Sequence, residues 1–204
     1  MGPATEEFFK LQTSDGVFLD AGLTLPELPE SASLGVVVCH PDPRGGGTMY
    51  NALIETIVQT LGASGVAALR FDFRVPGSFD ERLLDASAAL VHLRSRLPEG
   101  GRTAMVGWSM GAEIALAVAG SDPGVESVVA ICPLLFPNLA PRRESLRDRR
   151  VLLLVPEFDQ FTPPDVARQR IDFGTLEVIA DGDHSLFGRE EEIAERVMSF
   201  LTGA

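Results

Sequence analysis

One serine in this chain of 204 residues lies in a pattern suited to nucleophilic catalysis. Ser109 is the centre of a G-x-S-x-G pattern, Gly107 to Gly111, which follows an apolar run and precedes an alanine-rich one. The pattern is typical of a serine in a strained turn between a strand and a helix, where side chains at the glycine positions would collide with neighbouring backbone. A serine hydroxyl is a weak nucleophile, so the pattern predicts a histidine base and a carboxylate close to it.

The choice of base is narrow because the chain has only three histidines. His92 falls inside a predicted helix between two apolar residues, and we interpret it as a packing or surface residue. His40 precedes Pro41 in a loop with another predicted role. His184 follows a predicted strand in a polar loop, and we predict that it is the base. The alternative for His184 is an ordinary solvated loop histidine.

The predicted acid is Asp159, because it follows directly on a buried strand. A carboxylate there would orient the imidazole and stabilise the imidazolium that forms during acyl transfer. Glu157 is an alternative that lies two residues nearer to the strand. Asp181 and Asp183 are weaker alternatives because they lie so close to His184 in the sequence.

Alternating strand and helix patterns must position these residues. Two runs around Ser14-Asp15-Gly16 predict a hairpin, after which buried apolar runs alternate with helical spacing. The predicted strands are 8–13, 17–25, 35–39, 66–73, 103–108, 125–132, 151–156 and 175–180. The predicted helices are 49–62, 81–97, 110–119, 163–171 and 190–201, with Leu83, Leu84, Leu90, Val91 and Leu93 as the expected inner face of the second. This order predicts an α/β fold with a mostly parallel eight-stranded sheet covered by helices on both faces.

The carboxyl ends of the strands are where ligands bind in such a sheet, and the candidate residues all fall there. Acyl transfer also needs two backbone N–H donors aimed at the oxyanion. The first predicted donor is Met110, at a helix start where the helix dipole helps. Pro41 and Pro43 have no N–H, so we predict that Asp42 is the second. Glycines 45–47 either bring the backbone close to bound substrate or form a flexible connection.

Composition excludes several classes of partner. The formal net charge of −12 argues against nucleic acid and anionic membranes, which both need a basic patch. The arginines of residues 142–150 alternate with acidic residues, as on a solvated helix face. No run is apolar enough to cross a bilayer, and residues 1–9 lack a secretory pattern, so we expect a cytoplasmic location. Length and composition fit a single domain over residues 1–204.

The two cysteines, Cys39 and Cys132, end predicted buried strands, where cysteine behaves as a small hydrophobe. We expect no disulfide between them. The histidines and cysteines also lack the spacing of metal ligands, so the sequence implies no metal and no cofactor.

Together these motifs resemble the α/β-hydrolase superfamily along nearly the whole chain. More narrowly, they are similar to the small, cap-less bacterial hydrolases related to dienelactone hydrolase. The narrower likeness rests on His40-Pro41, Gly46-Gly47-Thr48-Met49 with Asn51, Leu69-Arg70-Phe71-Asp72-Phe73-Arg74, and Gly107-Trp108-Ser109-Met110-Gly111. The resemblance implies catalytic roles for Ser109, Asp159 and His184, and an oxyanion donor near Asp42.

Two departures from that family pattern are visible. Residues 75–80 read Val-Pro-Gly-Ser-Phe-Asp where such proteins carry a glycine-rich turn, which affects one wall of the expected pocket. Dienelactone hydrolase itself uses a cysteine nucleophile, whereas this chain has Ser109. The resemblance therefore does not imply the specific reaction of dienelactone hydrolase.

Residues 132–150, where many α/β hydrolases insert a lid, are too few to form a cap domain. The predicted substrate-lining residues around the site are mostly apolar: His40, Leu134, Leu135, Phe136, Phe158 and Phe187. Phe161 and Leu186 are expected at the same rim. Such a lining suits an acyl or alkyl group, although core packing or a homodimer contact would also account for it.

The leading hypothesis is a serine hydrolase that cleaves small carboxylic esters or thioesters through an acyl-enzyme. An amidase or peptidase would use the same triad and oxyanion hole, so the sequence leaves that alternative open. A different class of alternative is a non-catalytic ligand-binding or interaction protein built on a hydrolase fold.

Overall fold

A hairpin begins the sheet, as the Ser14-Asp15-Gly16 turn predicts. The computed structural model describes residues 5–28, 32–135 and 143–203. Its strands are β1 Thr5–Gln12, β2 Phe18–Leu25, β3 Leu34–Cys39, β4 Ala67–Phe71, β5 Arg102–Trp108, β6 Val125–Ile131, β7 Arg150–Pro156 and β8 Thr175–Ile179. Its helices are α1 Ala52–Ala63, α2 Phe79–Arg96, α3 Met110–Ser121, α4 Arg143–Arg147, α5 Pro164–Arg170 and α6 Glu190–Thr202, with a 3₁₀ turn at Pro43–Gly45.

The strands form one eight-stranded sheet in the order β1-β2-β4-β3-β5-β6-β7-β8. β1 and β2 are antiparallel to their neighbours, and β3 to β8 run parallel. Parallel strands are buried on both faces, and all six residues of β3 are buried accordingly. The mostly parallel α/β sheet predicted from the sequence is therefore confirmed.

Two apolar layers hold the helices on the sheet. Val36 and Val38 of β3 pack in the layer that contains α1 and α6, while Val37 and Cys39 pack in the layer that contains α2 and α3. Helix α3 is buried from Met110 to Ala119, because its small residues let it pack closely on the sheet. The helix begins at Met110, the residue directly after Ser109.

Helix α2 buries a different face from the one that its leucines predict. Its buried residues are Arg82, Asp85, Ala86, Ala89, Leu90 and Leu93, whereas Leu84 and Val91 are exposed. The expectation for Leu84 and Val91 is therefore wrong, because an arginine and an aspartate lie on the inner stripe. Of the two charged residues, Arg82 contacts Met110 and Asp42 beside the site described below.

Most other differences from the predicted elements lie at element ends. Strand β4 stops at Phe71 because Asp72 and Phe73 turn to bind other segments: Asp72 Oδ1 accepts from Met49 N–H at 2.7 Å, and Phe73 N–H donates to His40. Helix α1 begins at Ala52 because residues 48–51 form a hydrogen-bonded turn. In the described parts of the chain, no helix has both the length and the apolar character needed to cross a membrane.

Candidate active site

Ser109 occupies a strained turn between β5 and α3. Its backbone has φ 57° and ψ −119°, a conformation that costs a non-glycine residue about 1–3 kcal/mol. A Cβ atom at Gly107 would lie 2.1 Å from the Gly111 carbonyl oxygen, and one at Gly111 would lie 2.3 Å from the Cys39 carbonyl oxygen. Both glycines of the motif are therefore required by the close approach of backbone to backbone.

The structure brings Ser109, His184 and Asp159 into one hydrogen-bonded chain. His184 Nε2 lies 2.9 Å from Ser109 Oγ, and His184 Nδ1 lies 2.8 Å from Asp159 Oδ2. The other carboxylate oxygen, Oδ1, accepts from the N–H groups of Phe161 at 2.8 Å and Thr162 at 2.9 Å. The serine hydroxyl thus faces one ring nitrogen while the carboxylate holds the other.

Asp159 remains charged although it is buried. Burial raises the pKa of its carboxyl, but the hydrogen bonds from His184 and from two backbone N–H groups outweigh burial and hold the pKa below its ordinary value. A charged carboxylate at Nδ1 keeps a proton there, which leaves Nε2 free to accept the proton of Ser109.

Two of the other candidate acids, Glu157 and Asp183, bind elsewhere. Glu157 accepts a hydrogen bond from the backbone N–H of Asp181 at 3.0 Å. Asp183 accepts from the backbone and the hydroxyl of Ser185 at 2.9 and 2.6 Å. Of the four acids that the sequence leaves open, Asp159 is the one whose carboxylate hydrogen-bonds the ring of His184.

Two aromatic residues support the His184 loop. The indole N–H of Trp108 donates to the carbonyl oxygen of His184 at 3.2 Å, and the ring of Phe161 packs edge-to-face on the imidazole with centroids 4.6 Å apart. Sequence reasoning missed Trp108, which is the variable residue before the serine in the motif. The contact joins residues 76 positions apart, and no local pattern indicates it.

The two predicted oxyanion donors follow the carboxyl ends of neighbouring strands, β5 and β3. Met110 is the first residue of α3, and Asp42 follows β3. The two segments touch, since a Cβ atom at Gly111 would lie 2.5 Å from the carbonyl oxygen of His40. Within the described part of the chain, neither N–H group donates a hydrogen bond, so both are free for a ligand. The helix dipole of α3 adds positive potential at this point.

The glycines after Asp42 form a tight turn. The N–H groups of Gly45 and Gly47 both donate to the Asp42 carbonyl oxygen, at 2.9 and 3.1 Å. Gly46 has φ 87°, and a Cβ atom at Gly47 would lie 2.1 Å from the carbonyl oxygen of Pro41. Gly46 and Gly47 are therefore required by the backbone of their own loop, whereas a Cβ atom at Gly45 would meet nothing within 4 Å.

His40 holds this loop in place and does not line a substrate pocket, which corrects the expectation from the sequence. Its side chain is only 1% exposed. Nδ1 donates to the carbonyl oxygen of Pro41 at 2.6 Å, and Nε2 accepts from the N–H of Phe73 at 3.0 Å. Burial lowers the pKa of His40, so the ring stays neutral in the form that makes both bonds.

A neutral, buried His40 predicts a pH dependence of stability. Between its lowered folded-state pKa and its ordinary value of about 6.5, the unfolded chain binds a proton that the folded chain does not. The contribution of His40 to the free energy of unfolding is therefore fully present above about pH 6.5 and falls as the pH drops below that value. His40→Gln can make both hydrogen bonds and does not titrate, so we expect a flatter pH dependence of the free energy of unfolding.

Urea unfolding at several pH values between about 5 and 7.5 measures this effect. His92→Gln is the matched control, because burial also lowers the pKa of His92 but its ring is more accessible and stacks on Phe9. We expect a smaller change for this control. Parallel curves for the wild type and His40→Gln would contradict the role of His40.

The predicted apolar rim is partly exposed and partly buried. Phe158, Phe161 and Phe187 are exposed, with Phe187 at 90%, so core packing does not account for them. Leu134 is half-buried, and Leu135 is half-buried against the main core. Leu186 is fully buried in the core and does not belong to the rim, contrary to expectation. Phe136 lies outside the described residues.

Cys132 also lies beside the triad. Its sulfur, a carboxylate oxygen of Asp159 and a ring nitrogen of His184 all lie within 4.8 Å of one another. Burial and the negative charge of Asp159 raise the pKa of the Cys132 thiol. Asp159 and His184 already bind each other and Ser109, so the group fits acid–base chemistry.

Comparison with known proteins agrees with this fold. The model of the alpha/beta hydrolase family matches residues 36–151, which is more than half of the chain, so the chain belongs to this family. The uncharacterized protein RP471 of Rickettsia prowazekii is 32% identical over 104 residues, 48% of this chain. The match spans only 44% of that protein, which is less than half its length.

Two solved structures show a similar fold. An alpha-beta serine hydrolase homologue from Coxiella burnetii is 24% identical with a TM-score of 0.82, over 96% of this chain and 97% of that one. XC6422 from Xanthomonas campestris, described as a serine hydrolase without lid, is 19% identical with a TM-score of 0.82, over 100% of this chain and 96% of that one. The chain therefore has the α/β-hydrolase fold that its motifs resemble, and the residues that the structure describes add no cap domain to it.

Proposed function

We propose that the protein is a serine hydrolase that cleaves carboxylic esters or thioesters of small, apolar acyl groups through an acyl-enzyme. The observation that carries this proposal is the hydrogen-bonded chain from Ser109 Oγ through His184 to Asp159, with distances of 2.9 and 2.8 Å. A binding protein has no need for all three groups in this order.

The reaction follows from the positions of the protons. His184 Nε2 takes the hydroxyl proton of Ser109 as the oxygen attacks the substrate carbonyl. The N–H groups of Met110 and Asp42 stabilise the oxyanion. The protonated His184 then gives its proton to the leaving alcohol or thiol, which leaves an acyl group on Ser109. Water, activated by the same His184, releases the acid and restores the serine.

The exposed aromatic rim supports the choice of an apolar acyl group. Phe161 contacts the catalytic imidazole, and Phe158 lies next to Asp159 in the same loop. Solvated aromatic side chains beside a reactive centre offer apolar area to a substrate. The described residues form no lid that would enclose a long chain, so short acyl groups suit the site best. The Coxiella structure is described as a serine hydrolase homologue and the Xanthomonas structure as a serine hydrolase, which supports this class of activity.

Labelling with a fluorophosphonate probe tests the proposal. The probe reacts with serines that a base has activated, so we expect it to label the wild-type protein and to leave Ser109→Ala unlabelled. Ser121→Ala, at the other end of α3, is the matched control and should be labelled like the wild type. An unlabelled wild type would favour a non-catalytic binding protein, and undiminished labelling of Ser109→Ala would exclude Ser109 as nucleophile.

A further inference from the structure

A buried arginine touches both residues that carry the oxyanion donors. Arg82 lies in the first turn of α2 and is 6% exposed. Its Nη2 lies 3.5 Å from Oδ1 of Asp42, and its Nη1 lies 2.8 Å from the sulfur of Met110. Its Nε is buried without a hydrogen-bond partner in the described part of the chain. Arginine is rarely buried unless it is paired, so this position calls for an explanation.

The positive charge of Arg82 is only weakly compensated. The carboxylate of Asp42 binds mainly Arg44, an exposed residue, at 2.6 and 3.0 Å. Asp85, one turn further along α2, binds Arg74 at 2.7 Å. The 3.5 Å contact to Asp42 is therefore the closest ion pair that the described residues give Arg82.

The field of this charge reaches the loop after β3. Burial is the main cause of the lowered pKa of His40, and the charge of Arg82 adds to the lowering. The same field favours negative charge that develops near Asp42 and Met110, where the oxyanion of the proposed reaction forms.

The fold also fixes the backbone of Arg82. Ser78 and Glu81 form a capping box at the start of α2, with hydrogen bonds of 2.8 and 3.3 Å. The N–H of Arg82 donates to the Ser78 carbonyl oxygen at 3.1 Å. A side chain on a fixed helix turn holds the segments that it contacts, which follow two different strands, in a fixed relative position.

We propose that Arg82 is a positioning residue, which links the loop after β3 to the start of α3 and so fixes the N–H groups of Asp42 and Met110 relative to each other. This inference rests on the proposed function. It predicts that Arg82 affects the transition state more than substrate binding, because the oxyanion forms only during the reaction.

Steady-state hydrolysis of p-nitrophenyl acetate by Arg82→Met tests the proposal. Methionine keeps much of the side-chain volume but removes the charge and the planar donors. We expect kcat to fall about 10- to 100-fold with less than about a threefold change in KM, and the rate of fluorophosphonate labelling to fall in parallel. Arg82→Lys keeps the charge and should recover part of kcat.

The matched control is Arg94→Met on the same helix. Arg94 pairs with Asp122 at 2.7 and 3.0 Å, away from the oxyanion loop. We expect this variant to lose thermal stability but to keep its kcat. A folded Arg82→Met with a kcat within about threefold of the wild type would overturn the inference and leave the proposed function intact. An unlabelled wild type would instead overturn the proposed function itself.

If Arg82→Met does not fold, a second variant tests the positioning role of Arg82. Met110→Leu removes the sulfur contact and keeps the backbone N–H. If Arg82 acts through Met110, the double variant Arg82→Lys with Met110→Leu should lose less kcat than the product of the two single losses. Independent, multiplying effects would overturn the proposal.

Discussion

His184→Ala is expected to lower kcat for p-nitrophenyl acetate by about 10⁴- to 10⁶-fold, and adding Ser109→Ala is expected to lower it no further. The reason is the single 2.9 Å contact between Nε2 and the serine oxygen. Without the imidazole the hydroxyl keeps its proton, and without the hydroxyl the imidazole has nothing to activate. The two residues therefore act as one unit, and their losses do not add.

The measurement compares kcat for the two single variants and the double variant. His92→Ala is the control histidine, because its ring stacks on Phe9 in the hairpin and lies outside the triad. We expect it to keep the kcat of the wild type. A double variant whose loss equals the product of the two single losses would contradict the shared role of Ser109 and His184.

The sequence predicted the parts of this site that local patterns govern. Strand and helix periods placed Ser109, Asp159 and His184 after the carboxyl ends of β5, β7 and β8, and parallel strands bring those ends to one edge. The glycine pattern also predicted that Gly107 and Gly111 have no room for a side chain. Contacts with neighbouring backbone do leave no room for a Cβ atom at either position.

The sequence did not predict the contacts that hold those parts together. Arg82 reaches Met110 over 28 positions, and Trp108 reaches His184 over 76. One feature of the sequence indicates the position of Arg82. It lies on the same helical stripe as Ala86, Ala89 and Leu93, so helical periodicity places a cation on the inner face of α2. That stripe excludes Leu84 and Val91, which hydrophobicity alone had favoured.

Loop conformation explains the misplaced rim residue. Leu186 has a positive φ of 50°, so the chain turns at this residue, just before Phe187. Leu186 consequently lies in the core, whereas Phe187 is the most exposed of the large apolar side chains that the structure describes. Apolar composition predicted that this loop carries hydrophobic side chains, but only the backbone angles decide which of them faces solvent.

Asp159→Asn is expected to lower kcat by about 10⁴-fold while the protein stays folded. Oδ1 of Asp159 accepts two backbone N–H groups, from Phe161 and Thr162, and only an oxygen can take that place. The carbonyl oxygen of an asparagine must therefore face the backbone, which turns its NH₂ group towards Nδ1 of His184. Nδ1 then accepts a hydrogen bond, the ring proton moves to Nε2, and His184 cannot accept the proton of Ser109.

Steady-state kinetics together with thermal unfolding measure this effect, since the asparagine keeps both backbone hydrogen bonds and should leave the melting temperature nearly unchanged. Glu157→Gln is the matched control, because Glu157 precedes Asp159 by two residues in the same loop but binds the N–H of Asp181. We expect kcat of the control to stay at the wild-type level. If Glu157→Gln lost activity while Asp159→Asn kept it, the acid would be Glu157, and the 2.8 Å contact between Asp159 and His184 would have no catalytic role.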